Sequence, residues 1–312
     1  MMTMIPAQPA ITRKNIIMLL RLVAVVFSSV ATILSTVLPL LFYTDLSAGT
    51  VMTIASVLLI GAVCIHGMLT HTLNDIADYQ SGTDQNSPGI LSGGSGVLQT
   101  GAMSVGMLKQ LGTWVTIILL ITAVLFAILG LTEFAVLTLI GIWGAVSYSL
   151  KPFQFAYYPF AGEWFSLFPT MLTLGIAAPW ILLEQIPVWA WQNGIINAIW
   201  CMAWVMVHHI PDRHADREST PLKQTSVVWA EDVFGARGAK LPAMLYFIVV
   251  GLLLIWTAFT RPAGAIGAGI FLGYAIYLVT KMDIDDVEKV TNDEKKLLFL
   301  AFATAIWLGI FI

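Results

Sequence analysis

The sequence predicts an all-α integral membrane protein, with about nine transmembrane helices in one bundle. Three observations carry that expectation. Of 312 residues, 58% are hydrophobic and only 11% are charged, against about 25% charged in soluble domains. Apolar stretches of at least ~17 residues recur near 16–43, 48–80, 103–129, 132–151, 162–184, 188–214, 241–260, 263–281 and 296–312. These runs are continuous rather than alternating, which suits helices and not the strands of a membrane barrel. A soluble protein is excluded, because so few charges could not keep this much apolar surface dispersed. A nucleic-acid binder is excluded by a net charge of -3 and the lack of a basic face. Cys64 and Cys201 both lie in apolar runs and support neither a disulfide framework nor a cysteine metal site.

Taken in order, the first span follows Arg13 and Lys14, a signal-like start. The run is too long for a signal sequence and has no small-residue cleavage site, so a retained helix is expected. Arg21 lies just inside it, able to snorkel or to contact a phosphate. Of the 15 Lys and Arg residues, all but Arg21 and Arg261 fall on one side of the membrane if the spans alternate. The positive-inside bias makes that side, and the N-terminus, cytoplasmic. Trp180, Trp189 and Trp191 cluster in the opposite loop near 180–191, as an outer aromatic belt would. Outer loops are short, whereas the cytoplasmic loops near 81–102 and 215–240 are long and polar. Long loops in a compact protein tend to carry function. The whole chain, 1–312, is expected to form one domain capped by these two loops, with its active site facing the cytoplasm from the cell membrane.

The second span ends in His71-Thr-Leu-Asn74-Asp75-Ile-Ala-Asp78, followed by a Gly82 break and Asp84. Helical spacing puts Asn74, Asp75 and Asp78 roughly on one side. The sixth span ends in His208-His209-Ile-Pro-Asp212-Arg213-His-Ala-Asp216. Each cluster begins four residues after a histidine, at the cytoplasmic end of its span. Crowded carboxylates near a membrane repel one another and are costly to bury, so a divalent cation is expected to offset them. Mg²⁺ binds few carboxylates and completes its shell with water and phosphate oxygens. Two facing clusters are therefore suited to hold about two or three Mg²⁺ ions around one diphosphate, with Asp75, Asp78, Asp212 and Asp216 as ligands. Lys151, Arg213, Arg217 and Lys223 supply cations for the remaining phosphate charge.

These residues resemble the UbiA superfamily of intramembrane prenyltransferases. Asn74-Asp75-x-x-Asp78 with Asp84 is similar to its first aspartate-rich motif, and Asp212-x-x-x-Asp216-Arg217 to its second. Tyr148-Ser-Leu-Lys151-Pro152 and Gly162-Glu163 are similar to the segment that opens the family's fifth helix. Gly82-Thr83-Asp84 and the run Ser92-Gly-Gly-Ser-Gly-Val-Leu-Gln-Thr-Gly101 look most like the branch of 1,4-dihydroxy-2-naphthoate prenyltransferases of menaquinone synthesis. That glycine-rich loop has backbone N–H groups suited to line a diphosphate. The chain departs from the family after its second motif. The usual Gly-Lys-x-Thr run is replaced by a shifted Lys223 and Thr225, and Lys151 stands where small or apolar residues are common.

The resemblance implies a bundle of nine helices and Mg²⁺-dependent transfer of a polyprenyl group from its diphosphate to an aromatic acceptor. It implies Asp78 or Asp84 as the base. Asn74 is a further candidate for diphosphate contact, and so is Arg21, because an intramembrane arginine is a functional candidate by default. Tyr148 is a candidate for stabilising the allylic cation through its π face. Water must be excluded, since it would capture that cation. Two alternatives stand beside this one: a terpene cyclase on the same scaffold, needing no acceptor, and a transporter using the acids as an ion site. Transporters place such charges at the midplane in broken helices, whereas both clusters here lie at helix ends.

Overall fold

A computed structural model describes residues 11–312, and among the described residues every regular element is helical. The N-terminus itself, expected on the cytoplasmic side, lies outside the described residues. The long helices are α1 (Leu22–Tyr43), α2 (Ala48–Ser81), α3 (Val105–Ile128), α4 (Thr132–Ser149) and α5 (Gly162–Leu182). They are followed by α6 (Val188–His208), α7 (Leu241–Ala258), α8 (Pro262–Lys281) and α9 (Val287–Ile310). Seven spans are long and apolar enough to cross a membrane. The two long helices outside that set are α6 and α9, and each differs for a physical reason. In α6, Gln192, Asn193 and Asn197 lower the mean hydropathy. The first turns of α9 carry Glu288, Lys289, Asp293, Glu294, Lys295 and Lys296.

Helix boundaries differ from the sequence expectation at three places. The first span is broken: Arg13–Leu20 is helical, Arg21 takes a left-handed conformation with φ 44°, and α1 resumes at Leu22. The sixth was expected to run to 214 but stops at His208. Pro211 disfavours helix in the residue before it, and a short helix, Arg213–Glu218, restarts beyond the turn. The ninth begins at Val287 rather than near 296. The Asp286 side chain caps it by accepting from the Lys289 N–H at 3.0 Å.

Each long helix packs against the next in chain order, α9 returns against α1, and α5 also packs against α1. Helix α6 lies inside, touching α1, α5, α7 and α9. Its Ile196, Ile199, Trp200, Met202, Ala203, Met206 and Val207 are all buried. Lipid tails are as apolar as leucine, so close packing rather than water exclusion holds such helices together. A Cβ on Gly175 of α5 would stand 2.8 Å from the Gly194 Cα of α6, and this pair lets the two backbones meet. Outward-facing Ile60, Ile118, Ile128, Phe259 and Ile266 are exposed, as a lipid-facing surface requires.

The two ends of the bundle differ in chemistry. At one end lie Tyr43, which donates to the Ile310 carbonyl at 2.5 Å, and a buried knot around Arg261. Arg261 Nε donates to Gln192 Oε1 at 3.0 Å and a terminal nitrogen donates to Asn193 Oδ1 at 2.8 Å. Asn193 in turn donates to the Ser35 and Leu308 carbonyls. The polar residues of α6 are thus consumed in tying α1, α8 and α9 together. At the other end lie the acidic helix ends and the two long loops. Arg261→Ala should lower the stability of the detergent-solubilised chain by ~2–5 kcal/mol, because buried charge-assisted bonds are lost and the Asn193 amide oxygen is left unpaired. The exposed Arg237→Ala should change thermal unfolding by less than ~0.5 kcal/mol, and equal effects of the two substitutions would refute the knot.

Candidate active site

The last turns of α2 hold Asn74, Asp75 and Asp78. Asn74 Nδ2 donates to Asp78 Oδ2 at 2.9 Å, the i,i+4 contact anticipated from spacing. Gly82 then reverses the chain at φ 92°, its N–H donating to the Tyr79 carbonyl. A residue with a Cβ would be strained there. The following turn, Thr83–Asn86, brings Asp84 back toward the α2 acids.

The second segment starts where α6 stops. Asp212 precedes the short helix Arg213–Glu218, and Asp216 sits within it. The chain then runs through Thr220, whose N–H donates to the Ser81 carbonyl at 2.9 Å and so joins the two acidic segments. Lys223 follows. Its Nζ lies 2.8 Å from Asp78 Oδ2 and 3.4 Å from Asp216 Oδ1. One buried ammonium therefore bridges a carboxylate of each segment.

The glycine-rich loop lies over both segments. Ser95 donates from its N–H (3.2 Å) and its hydroxyl to Asp75. Ser92 Oγ donates to Asp212 Oδ1 at 2.8 Å, and Ser87 Oγ donates to the same atom. Gly94 is left-handed, φ 73°, and a Cβ there would collide with Asp84, while one on Gly89 would collide with Ser92 and Asp212. The loop is poor in side chains because its backbone runs against carboxylates.

Five aspartates meet here with little water: Asp75, Asp78, Asp84, Asp212 and Asp216 are none of them more than 6% exposed. Burial, reinforced by Asp78 and Asp75, pushes the Asp84 carboxyl up to about 9. Burial raises Asp216 to about 7, with Lys223 opposing and Asp212 and Asp78 adding to the rise. For Lys223, burial pulls downward, yet Asp216 and Asp78 outweigh it and hold the amine well above the ordinary lysine value. Carboxyls crowded in a dry site hold on to protons in this way until added positive charge offsets them.

The other cations predicted from sequence are distributed differently. Arg21, at the kink before α1, donates to the Leu91 carbonyl of the glycine-rich loop and lies 3.4 Å from His208 Nε2. Arg213 is committed to Glu231 at 3.1 Å, Asp285 at 2.5 Å and the Ile210 and Ile284 carbonyls. Arg217 is committed to Glu231 and Asp232, each at 2.7 Å. These two arginines, expected to face phosphate, clamp the segment Ser226–Phe234 and the α8–α9 connection instead. Lys151 is exposed past the end of α4 and makes none of the contacts within the site.

Tyr148 Oη lies 3.2 Å from His209 Nε2, and His209 Nδ1 is 3.9 Å from Asp216, so Tyr148 does border the second segment. Tyr157 was not anticipated. Its hydroxyl donates to Asp78 Oδ1 at 3.4 Å, and Lys223 Nζ sits 5.8 Å from its ring centre. Nothing in its local sequence marks it, since only the chain's return over the site brings it there. The serines 87, 92 and 95 were also missed, although their place after an acidic cluster was a usable signal. His71 is occupied by the Leu20 and Gly67 carbonyls, each 3.1 Å away.

Among the described residues, no three His, Cys, Asp or Glu side chains converge as a metal cage. The donor set still suits Mg²⁺, because Asp84 Oδ2 and both Asp216 carboxylate oxygens are buried without a hydrogen-bond partner. Such oxygens need a cation or a proton. The sequence model of the UbiA prenyltransferase family matches residues 33–303, a stretch that includes all five aspartates and Lys223. The chain belongs to the UbiA prenyltransferase family. Members of this family carry out prenyltransferase-type chemistry within a membrane, and the multi-pass helical bundle agrees with that. Searches of curated proteins and of solved structures returned no significant match. In this UbiA-family chain, Gly94→Ala should lower turnover of a prenyl diphosphate by ~5–150-fold, the equivalent of the ~1–3 kcal/mol cost of a left-handed non-glycine residue. Unchanged turnover would mean that the loop does not need to approach Asp84.

Proposed function

We propose that this chain transfers a polyprenyl group from an allylic polyprenyl diphosphate to an aromatic acceptor of the dihydroxynaphthoate type, in a Mg²⁺-dependent reaction of quinone biosynthesis. The observation that carries this is the meeting of two acidic segments, five buried aspartates in all, around a single bridging lysine. A transporter's ion site would need fewer carboxylates and a midplane position. The bundle is proposed to cross the membrane nine times, α6 and α9 included, with the N-terminus and the acidic end cytoplasmic. The basic residues collected at that end support this orientation.

Asp75, Asp78, Asp212 and Asp216 would hold the magnesium, which supplies charge stabilisation for the departing diphosphate. Everything else is done by the chain. Lys223 and Arg21 neutralise phosphate oxygens, and the Ser87–Ser95 loop keeps the carboxylates aimed inward. Departure of the diphosphate with the bonding electrons leaves an allylic cation, which the rings of Tyr148 and Tyr157 can stabilise. The apolar helices around the prenyl chain exclude the water that would quench it. The acceptor carbon then bonds to the prenyl carbon, and Asp84, with its unpaired Oδ2, accepts the ring proton. Positive charge brought with the diphosphate would favour the ionised form of Asp84, which can then take that proton.

The direct test incubates the purified chain with labelled geranyl, farnesyl or geranylgeranyl diphosphate, Mg²⁺, and dihydroxynaphthoate or hydroxybenzoate. A prenylated aromatic product is expected. Release of a terpene without any acceptor would instead make the chain a cyclase, and no diphosphate release at all would reject both enzymes. Asp75→Asn and Asp212→Asn should each reduce diphosphate release by at least ~100-fold, on the scale of losing an electrostatic stabiliser of a leaving group. Full activity in either variant would contradict the assignment of these residues as metal ligands.

A further inference from the structure

Arg21 is held from three sides by residues outside the acidic segments. It stands in the left-handed region, φ 44° and ψ 51°, between two helical stretches. A non-glycine residue persists there only where its neighbours fix it. From α2, His71 Nδ1 lies 3.1 Å from the Leu20 carbonyl. Gly67 lets Leu20 pack close, since a Cβ there would stand 3.2 Å from Leu20 Cδ2. From α6, His208 Nε2 lies 3.4 Å from Arg21 Nη2, which also donates to the Leu91 carbonyl. From α9, Glu294 is 1% exposed and places its Oε1 2.6 Å from His208 Nδ1.

The two ends of this chain of contacts set its direction. A guanidinium donates and cannot accept, so His208 Nε2 offers its lone pair to Arg21. Nδ1 therefore carries the ring hydrogen and donates it to the Glu294 carboxylate. Trp204, one turn earlier on α6, stacks on the His208 ring with centroids 4.9 Å apart and fixes its plane. A carboxylate behind an imidazole orients the ring and strengthens its hold on the cation in front, as it does behind a metal-bound histidine. Here the cation is a guanidinium. Nη2 uses its two hydrogens on Leu91 and His208, whereas Nε and Nη1 make no hydrogen bond among the described residues. Three N–H donors are left over. The charge they carry acts on Asp75, the carboxylate that Ser95 of the glycine-rich loop also contacts.

We infer that Glu294 and His208 are positioning residues for Arg21, holding its guanidinium beside the glycine-rich loop with three N–H groups ready for the substrate diphosphate. The inference rests on the function proposed above, in which Arg21 neutralises phosphate oxygens. Neither residue of the pair touches the substrate, because both nitrogens of His208 are engaged, one by Glu294 and one by Arg21. A long arginine side chain loses much rotamer freedom when it is fixed. Fixing it before the diphosphate arrives removes that cost from binding. The left-handed backbone and the His208 contact serve the same end, since one sets where the side chain starts and the other where it finishes.

The test measures binding of inorganic diphosphate with Mg²⁺ to the purified full-length chain by titration calorimetry, beside prenylation kinetics. Arg21→Ala should weaken binding by ~10–100-fold, the scale of hydrogen bonds to a charged group. His208→Phe keeps the ring on Trp204 but should weaken binding by ~10-fold, as losing the partner behind a ligating group does. It should raise the KM for prenyl diphosphate and leave that for the acceptor unchanged. His208→Gln should recover most of the affinity, because its amide can donate to Glu294 and accept from Arg21. Glu294→Gln should weaken binding in the same direction, and serves where the phenylalanine variant does not fold. In an Arg21→Ala background, His208→Phe should cost nothing further. An equal cost in both backgrounds, or unchanged diphosphate affinity in the His208 and Glu294 variants, would overturn the positioning role. A wild-type chain that binds diphosphate yet prenylates no acceptor would overturn the transfer function alone, and one that binds no diphosphate would overturn both.

Discussion

Lys223 is the interaction on which the rest of the acidic end depends. It sits between Asp78, at the end of α2, and Asp216, beyond the end of α6, and is only 2% exposed. Without it, two aspartates from different segments would face each other across a dry gap. Removing one partner of such a buried pair costs ~3–5 kcal/mol, mostly because the other charge is stranded. The lysine holds the segments close yet leaves both Asp216 oxygens and one Asp84 oxygen without a hydrogen bond. The site is thus preorganised for added positive charge, which in the proposed function a diphosphate would bring with its magnesium.

The surrounding architecture keeps that arrangement in place. Helix α6 runs through the middle of the bundle, so its final turn can deliver His208 and the segment beyond it to the centre of one end. At its other end the Arg261 knot pins the same helix against α1, α8 and α9. Arg213 and Arg217, which looked like phosphate ligands, serve this architecture too. By holding Glu231, Asp232 and Asp285 they fix the chain that carries Lys223. The glycine-rich loop closes the site from above, with serine hydroxyls on Asp75 and Asp212.

Much of this arrangement is legible in the sequence, and what is not has a physical cause. Helical periodicity alone makes Asn74 and Asp78 neighbours, and the Gly82 break is enough to turn Asp84 back toward them. Composition identifies the membrane class, though the polar residues of α6 and the charged start of α9 obscure those two helices by hydropathy alone. Sequence could not reveal that Lys223, rather than Arg213 or Arg217, reaches the aspartates. All three are basic residues in one stretch, and only tertiary contacts decide which one finds a carboxylate of α2. Tyr157 and Glu294 were illegible for the same reason, since each lies far along the chain from the residue it contacts. The kink at Arg21 carried no signal either, because a left-handed arginine violates local preference.

The claim that both acidic segments share one cation-bridged site is tested most directly by electron paramagnetic resonance of bound Mn²⁺. The chain would be titrated with Mn²⁺ in the presence of a slowly reacting prenyl thiodiphosphate. A shared site predicts more than one Mn²⁺ per chain, with spin coupling between ions, and loss of that coupling when either Asp78 or Asp216 is replaced by asparagine. Isolated, uncoupled Mn²⁺ bound equally well by both variants would contradict it.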